Sequence, residues 1–426
     1  MTLLVFVGSL LAAMAVGIPI SFALLVCGGA LMAYLHMLDP QILAQNVING
    51  ANSYPLLAVP FFLLAGEVMN VGGLSKRIVN VAMVMVGHVR GGLGYVSIVA
   101  ACLLAALSGS AIADAAALSY LLLPMMMAAG HDKARSAGLI AAAGSIAPVF
   151  PPSIGLVVFG VIANVSIAKL FFAGIFPGLM LAASLWITWG WLARHEKIEP
   201  PPKASWGERL RAIREAAWAL VMPFIIIIGL RMGVFTPTEA GVVAAVYAVI
   251  VSTFVYREFK FSQLLEVFIS AARTTALIMF IIAASAVSAW LITVANIPGQ
   301  VVGLLSPLLD SPRLLMACVM VIVMIVGTAL DMTPTILILS PVLMPLINAA
   351  GIDPVYFGVL FIINNAIGLI TPPVGVVLNT VAGVGKVSMD SVTRGVMPFM
   401  LVLFIVMFAM VMVPELVTVP AHWFYK

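Results

Sequence analysis

Charge is what this sequence has least of. Only 8% of its 426 residues are Asp, Glu, Lys or Arg, against about 25% in an ordinary soluble domain. Twenty Lys/Arg and 16 Asp/Glu cannot give a fold of this length a polar skin. That excludes a cytosolic enzyme, a secreted scaffold, a disordered chain and a nucleic-acid binder. Cysteine is nearly as scarce. Cys27, Cys102 and Cys318 each lie in an apolar run, a packing pattern that supplies neither a disulfide framework nor a transition-metal site. The five histidines stand in or near loops without ligand spacing. The sequence also lacks His-Glu-x-x-His, Gly-x-Ser-x-Gly and Gly-x-x-x-x-Gly-Lys-[Ser/Thr]. Without a nucleotide-binding loop, energy for any work has to come from an ion gradient or a partner.

What is present is apolar: 63% of the residues, with a mean hydropathy of +1.21. This predicts an all-α polytopic membrane protein, because β-barrel spans show short alternating segments instead of long runs. The runs are 2–35, 55–72, 93–129, 134–163, 170–193, 216–232, 237–256, 270–295, 313–349, 355–384 and 392–419. The first cation is Lys76, so the N-terminal run reads as a retained helix and not as a signal peptide with a basic leader. Runs 93–129 and 313–349 are too long for one span. Each is either a re-entrant helical hairpin or two crossings with a short turn.

Residues 194–215 are plainly aqueous, with Pro200, Pro201 and Pro202 among ten charges. Their cations place them in the cytoplasm. They divide the chain into a first repeat, 1–193, and a second, 216–426. Pro124 and Pro345 stand 221 residues apart (345 − 124 = 221), as do Gly130 and Gly351, Pro151 and Pro372, Gly174 and Gly395, and Pro177 and Pro398. Internal duplication is a common way to build a transporter. Lys133 and Arg135 follow the first long run, whereas the matching loop at 349–356 has no cation and Lys386 and Arg394 come one helix later. This charge pattern predicts an inverted repeat. Residues 74–90, basic at both ends and apolar between, read as an interfacial amphipathic helix or a short tilted span.

Few ionisable groups fall inside the runs. Glu67, Arg231, Glu239 and Arg273 lie near run ends, where they can snorkel or pair at the interface. Asp114 and Asp331 lie near the middle of the two long runs and at matching places in the repeat, so both are candidates for function. Each has small, hydroxyl-rich neighbours: Ser108-Gly109-Ser110 before Asp114, and Gly327-Thr328 before and Thr333-Pro334-Thr335 after Asp331. A break of this kind frees carbonyls and hydroxyls, hard oxygens suited to Na⁺, and exposes helix N-termini that attract anions. A plain helix contact through small residues is the competing explanation.

Two further breaks follow, at Gly144–Ser153 with Pro151-Pro152 and at Asn364–Gly375 with Pro372-Pro373. Paired prolines interrupt a helix, so runs 134–163 and 355–384 read as two Pro-broken helices. Each hairpin tip is expected to meet the broken helix of its own repeat, giving two cation sites around one substrate site. Candidate substrate contacts are Ser110, Asp114, Ser153, Asp331, Thr335, Asn365 and Asn379.

Several strings then carry a resemblance over essentially the whole chain: Pro60-Phe61-Phe62-Leu63-Leu64-Ala65-Gly66-Glu67, Leu107-Ser108-Gly109-Ser110, Pro151-Pro152-Ser153-Ile154, Phe235-Thr236-Pro237-Thr238-Glu239-Ala240-Gly241, Gly351-Ile352-Asp353-Pro354 and Ile370-Thr371-Pro372-Pro373-Val374-Gly375. The sequence resembles the large membrane subunit of the tripartite ATP-independent periplasmic (TRAP) transporters, the DctM type, and among them the sugar-acid permeases of 2,3-diketogulonate type. The resemblance implies a Na⁺-coupled importer of an organic acid in the bacterial inner membrane. It implies a small DctQ-type subunit and a periplasmic DctP-type binding protein as partners, no cofactor beyond the coupling Na⁺, and an elevator-type fold. By position it places the cation sites near Ser108, Ser110, Gly144 and Pro148, and near Thr328, Asp331, Gly368 and Thr371. Residues Ala147-Pro148-Val149-Phe150 depart from the Gly and Ile that many members carry at the first break, which leaves the ligands there open. A stand-alone ion-coupled anion transporter is the alternative within transport. An intramembrane hydrolase using Asp114 and Asp331 is the alternative of another class.

Overall fold

A computed structural model describes residues 2–425 other than 195, 197, 199 and 200. All regular structure among them is helical. The chain opens with α1 (Thr2–Ala15) and α2 (Ile20–Tyr34), so the first apolar run is two helices, turned at Gly17, where φ is +86°. The next helix, α3 (Pro40–Ala51), is absent from the sequence reading because its polar face interrupts the hydropathy. Asp39 caps it, accepting from the Gln41 N–H at 2.8 Å. Then come α4 (Ala58–Val71) and α5 (Leu74–Val86). The latter is the amphipathic stretch, with Leu74, Ile78 and Ala82 buried and Lys76 and Asn80 outward.

Five helices follow: α6 (Gly92–Ser108), α7 (Ala111–Ala128), α8 (Lys133–Gly144), α9 (Ile154–Ile162) and α10 (Ile167–Ala193). The linker is only partly irregular. Ser205 and Glu208 form a capping box, and α11 (Trp206–Arg231) runs unbroken from inside the charged stretch into the apolar one. Amphipathic residues 206–215 are therefore the first turns of a span, which a charge count by itself assigns to the loop. At the other end of the linker Glu196 is tied down. Its carboxylate meets His131 Nδ1 at 2.6 Å and Arg135 Nη1 at 3.0 Å. Next are α12 (Pro237–Ile250), which continues through a π turn at Val251–Val255, then α13 (Leu264–Val294) and α14 (Ile297–Leu304). The last six are α15 (Pro312–Gly327), α16 (Met332–Ala349), α17 (Pro354–Gly368), α18 (Val376–Gly385), α19 (Met389–Met412) and α20 (Glu415–Tyr425).

The 221-residue spacing seen in the sequence recurs in the helix boundaries. Ala111 and Met332 open α7 and α16, Ala128 and Ala349 close them, and Lys133 and Pro354 open α8 and α17. The same register corrects one reading. Position 331 matches Ser110, and position 335 matches Asp114. The two carboxylates are thus one helical turn out of register, and not at matching places.

Eight helices among the described residues are long and apolar enough to cross a membrane. The halves interleave. Helix α8 packs on α19, with Gly138 and Gly395 letting the two backbones touch. Helix α9 packs on α17, with Phe159 5.6 Å from Phe361 and 6.0 Å from Phe357, ring to ring. Trp189 of α10 is wholly buried, donates its indole N–H to the Gly91 carbonyl at 2.8 Å and stacks on Phe399. A second core joins α1, α2, α13 and α14 around Leu24, Cys27, Leu31 and Val287.

Candidate functional site

The first tip lies between α6 and α7. Gly109 ends α6 in the left-handed region, with φ +59°, and its N–H returns to the Ala105 carbonyl. A Cβ there would stand 2.5 Å from the Pro152 carbonyl and 2.9 Å from the Ser153 Cα. The tip therefore meets the first break backbone to backbone, and only glycine satisfies both the φ and the approach. Just beyond, a Cβ on Gly144 would lie 2.8 Å from that of Ala115, so the end of α8 rests on the first turn of α7.

Within this junction Ser108 donates its hydroxyl to Asp114 Oδ1 at 2.5 Å and accepts from the Ser110 N–H at 3.2 Å. Ser110 caps α7 through the Ala113 N–H. Ser153 donates to the Pro148 carbonyl and caps α9. Asp114 is 3% exposed, and its Oδ2 has no hydrogen-bond partner. A buried oxygen of this kind is costly unless something else satisfies it.

The second tip, between α15 and α16, meets the second break where the Gly327 carbonyl lies against Gly368, 2.8 Å from where a Cβ would be. Asn365 is buried there. It donates to the Phe361 carbonyl at 2.8 Å, and its Oδ1 has no partner. Asn364 repeats the pattern, donating to the Met320 carbonyl at 2.6 Å and leaving its Oδ1 unpaired. Asp331 differs from Asp114. It is exposed and serves as the N-cap of α16, accepting from the Met332 N–H at 2.8 Å. Thr335 is buried and donates back to the Asp331 carbonyl. Thr328 is half-buried, with its hydroxyl on the Ile325 carbonyl. Thr371 donates to the Ile367 carbonyl and faces Met400 of α19. Asn379 is exposed and donates to the Val374 carbonyl. The two junctions adjoin: Gly155, one residue into α9, packs against the sulfur of Met332, which opens α16.

The structure thus brings together Ser108, Ser110, Asp114, Gly144, Pro148 and Ser153 at one junction, and Gly368 with Asn365 at the other. The side chains of Thr328, Thr371 and Asn379 bond to backbone carbonyls three to five residues before them. A cavity of about 290 Å³ opens beside the first tip, where Ser108, Ser110 and Asp114 face Glu67, Asn70 and Thr274. Sequence reading assigned Glu67 to an interfacial role and passed over Asn70 and Thr274. They come from α4 and α13, far along the chain, and no local pattern links them to the tip. Glu67 accepts from Ser270 of α13 at 3.1 Å. Glu239, in contrast, serves as an exposed capping-box residue of α12. No group of three or more His, Cys, Asp or Glu suited to a metal ion occurs among the described residues.

A family model described as "Tripartite ATP-independent periplasmic transporter, DctM component" matches residues 7–416. The chain is 54% identical over 423 residues to the 2,3-diketo-L-gulonate TRAP transporter large permease protein YiaN of Escherichia coli (strain K12), covering 99% of this chain and 100% of that one. It is 36% identical over 399 residues to the sialic acid TRAP transporter large permease protein SiaM of Vibrio cholerae, covering 94% of this chain and 93% of that one. Among solved structures it resembles the YdaH transporter of Alcanivorax borkumensis, with a TM-score of 0.62 over 90% of this chain and 88% of that chain. At 16% identity this is a likeness of fold alone.

Proposed function

The chain belongs to the DctM-component family of tripartite ATP-independent periplasmic transporters, and on that premise we propose that it is the large membrane subunit of a Na⁺-coupled importer of a sugar acid. It is a multi-pass inner-membrane transport protein and not an enzyme. The cargo follows from relatives named for 2,3-diketo-L-gulonate and sialic acid, both acids carried on a sugar-like skeleton. Its partners are a DctQ-type small subunit and a DctP-type periplasmic binding protein that delivers the acid.

The observation that carries the reading is the set of buried oxygens without partners, Asp114 Oδ2, Asn364 Oδ1 and Asn365 Oδ1, found where helices break and two tips meet two breaks. Hard oxygens in a desolvated site suit Na⁺, the coupling ion carried along with the acid. Ser108, Ser110, Gly144 and Pro148 surround one cation. Thr328, Asp331, Gly368 and Thr371 surround the other, with Asn365 as an added ligand. Ser110, Asp114, Ser153, Asp331, Thr335, Asn365 and Asn379 are the proposed contacts of the acid, between the junctions where Gly155 meets Met332.

Coupling follows from charge. An acid brought beside an unneutralised Asp114 is repelled at low local dielectric. A Na⁺ on Asp114 removes that repulsion, and cation binding then makes anion binding favourable. Helices α9 and α18 hold nine and ten residues, about 14 and 15 Å of rise, or half of the roughly 30 Å bilayer core. Such half-helices support two re-entrant hairpins and two broken helices in an inverted repeat. In the elevator reading α6–α10 and α15–α20 move together against a scaffold of α1–α4 and α11–α13, with α5 as the arm.

The test is reconstitution with the small subunit and binding protein in proteoliposomes. Uptake of the sugar acid is expected only with inward Na⁺. Equal uptake with K⁺ in place of Na⁺ would sink the coupling, and uptake without the binding protein would favour a stand-alone transporter.

A further inference from the structure

A second polar cavity lies away from tips and breaks, at the basic ends of α5 and α11. Its volume is about 640 Å³, and it is lined by Arg77, Arg211, Arg214, Glu215, Trp218 and Tyr256, with Val255 at its edge. Three guanidiniums face one carboxylate. Arg77 is already engaged, paired with Glu258 at 2.6 Å and stacked 3.9 Å over the Tyr256 ring. Arg211 holds Glu215 at 3.2 Å. Arg214 has no hydrogen-bond or ion-pair partner among the described residues and is exposed. The cavity is left with an excess of positive charge.

Its surroundings describe the kind of anion it suits. Arg211, Arg214, Trp218 and Val221 follow one face of α11 at helical spacing. Along that face the basic end gives way to exposed apolar side chains: Trp218 is 50% exposed and Val221 45%. Phe254 and Val255, on the neighbouring π turn, are exposed beside them. Trp218, half exposed at the cavity's apolar end, suits the level at which aromatic side chains sit between headgroups and hydrocarbon. An occupant that satisfies the whole surface carries a phosphate at one end and acyl chains at the other. Guanidinium forks match phosphate oxygens two at a time, and basic pockets between helices at the cytoplasmic side are suited to lipid headgroups. We propose that this cavity binds the phosphodiester headgroup of an anionic phospholipid, with its chains along Trp218, Val221 and Phe254. The lipid bridges α5 to α11.

Native mass spectrometry of the purified chain tests this with phosphatidylglycerol, phosphatidylcholine and inorganic phosphate supplied in turn. Wild type is expected to retain phosphatidylglycerol over phosphatidylcholine. The R211A/R214A double variant should retain it roughly tenfold less well. R394A, which alters an exposed arginine on α19, should leave retention unchanged. Should the double variant fold poorly, brominated phosphatidylglycerol is expected to quench wild-type tryptophan fluorescence more than it quenches W218F. Equal retention by wild type and R211A/R214A, or equal quenching in W218F, overturns the proposal. Retention of inorganic phosphate without lipid overturns the assignment of the ligand to the bilayer.

Discussion

The two hairpin tips share a backbone plan and differ in chemistry. Each sits between two helices whose boundaries repeat at one spacing, and each presses a glycine-lined backbone against the break of its own repeat. Yet the first tip holds a buried carboxylate with one oxygen paired to Ser108 and the other unpaired. The second holds an exposed carboxylate that accepts from the Met332 N–H, and its unpaired oxygens are the amides of Asn364 and Asn365. The two regions thus share the places where helices stop and start and differ in their side chains. The negative charge at depth belongs to the first junction, which makes it the better candidate for the step that couples cation to anion.

That contrast can be broken most directly at the close approaches. Gly109→Ala adds a left-handed-region penalty of about 1–2 kcal/mol and drives a methyl against the Pro152 carbonyl. Na⁺-driven uptake in proteoliposomes should all but vanish. Gly368→Ala crowds the backbone of Gly327, its carbonyl oxygen at 2.8 Å and its Cα at 3.2 Å, without the φ penalty, and should lose less. An equal loss at the two sites would remove the asymmetry.

The carboxylates come next. Asp114→Asn is expected to raise the Na⁺ concentration for half-maximal uptake by about tenfold, which is about 1.4 kcal/mol. Asp331→Asn also gives up a proposed cation ligand, but it removes an exposed charge in place of a buried one and keeps a competent N-cap, because Asn and Asp cap about equally well, so its shift should be smaller. A larger shift for the second would reverse the assignment of roles.

Ser110→Ala removes the cap of α7, an expected loss of about 1 kcal/mol readable as a lower thermal midpoint, and it should weaken Na⁺-driven uptake together with Thr371→Ala. Unchanged Na⁺ dependence in both variants counts against the two-site reading. The smallest effect belongs to Thr335→Val, at the position that matches Asp114. It gives up one intrahelical hydrogen bond to the Asp331 carbonyl, worth about 0.5–1.5 kcal/mol, and should leave the Na⁺ titration where it was.

Much of this could be read in advance. The long runs located α6 with α7 and α15 with α16, and Pro151-Pro152 and Pro372-Pro373 located the breaks, because hydropathy and proline act on their own stretch of chain. The polar faces of α3 and of the first turns of α11 hid those helices, since a helix lying partly in water shows no continuous apolar run. Asp114 and Asp331 looked equivalent because both sit mid-run in small-residue surroundings. Only the helix starts, Ala111 and Met332, set the register that separates them. Asn70 and Thr274 carried no signal at all.

By itself the sequence determined the solvent of this protein, its helical class, the 221-residue spacing of its landmarks, its breaks and its family. Each is written in local composition or in the repetition of local landmarks. The tertiary structure decided which oxygens are left without partners, which glycines admit another backbone, and which of two similar aspartates is buried. Those properties depend on neighbours contributed from elsewhere in the chain, as Pro152 is to Gly109 and Ser270 is to Glu67, and no window of sequence contains both members of such a pair.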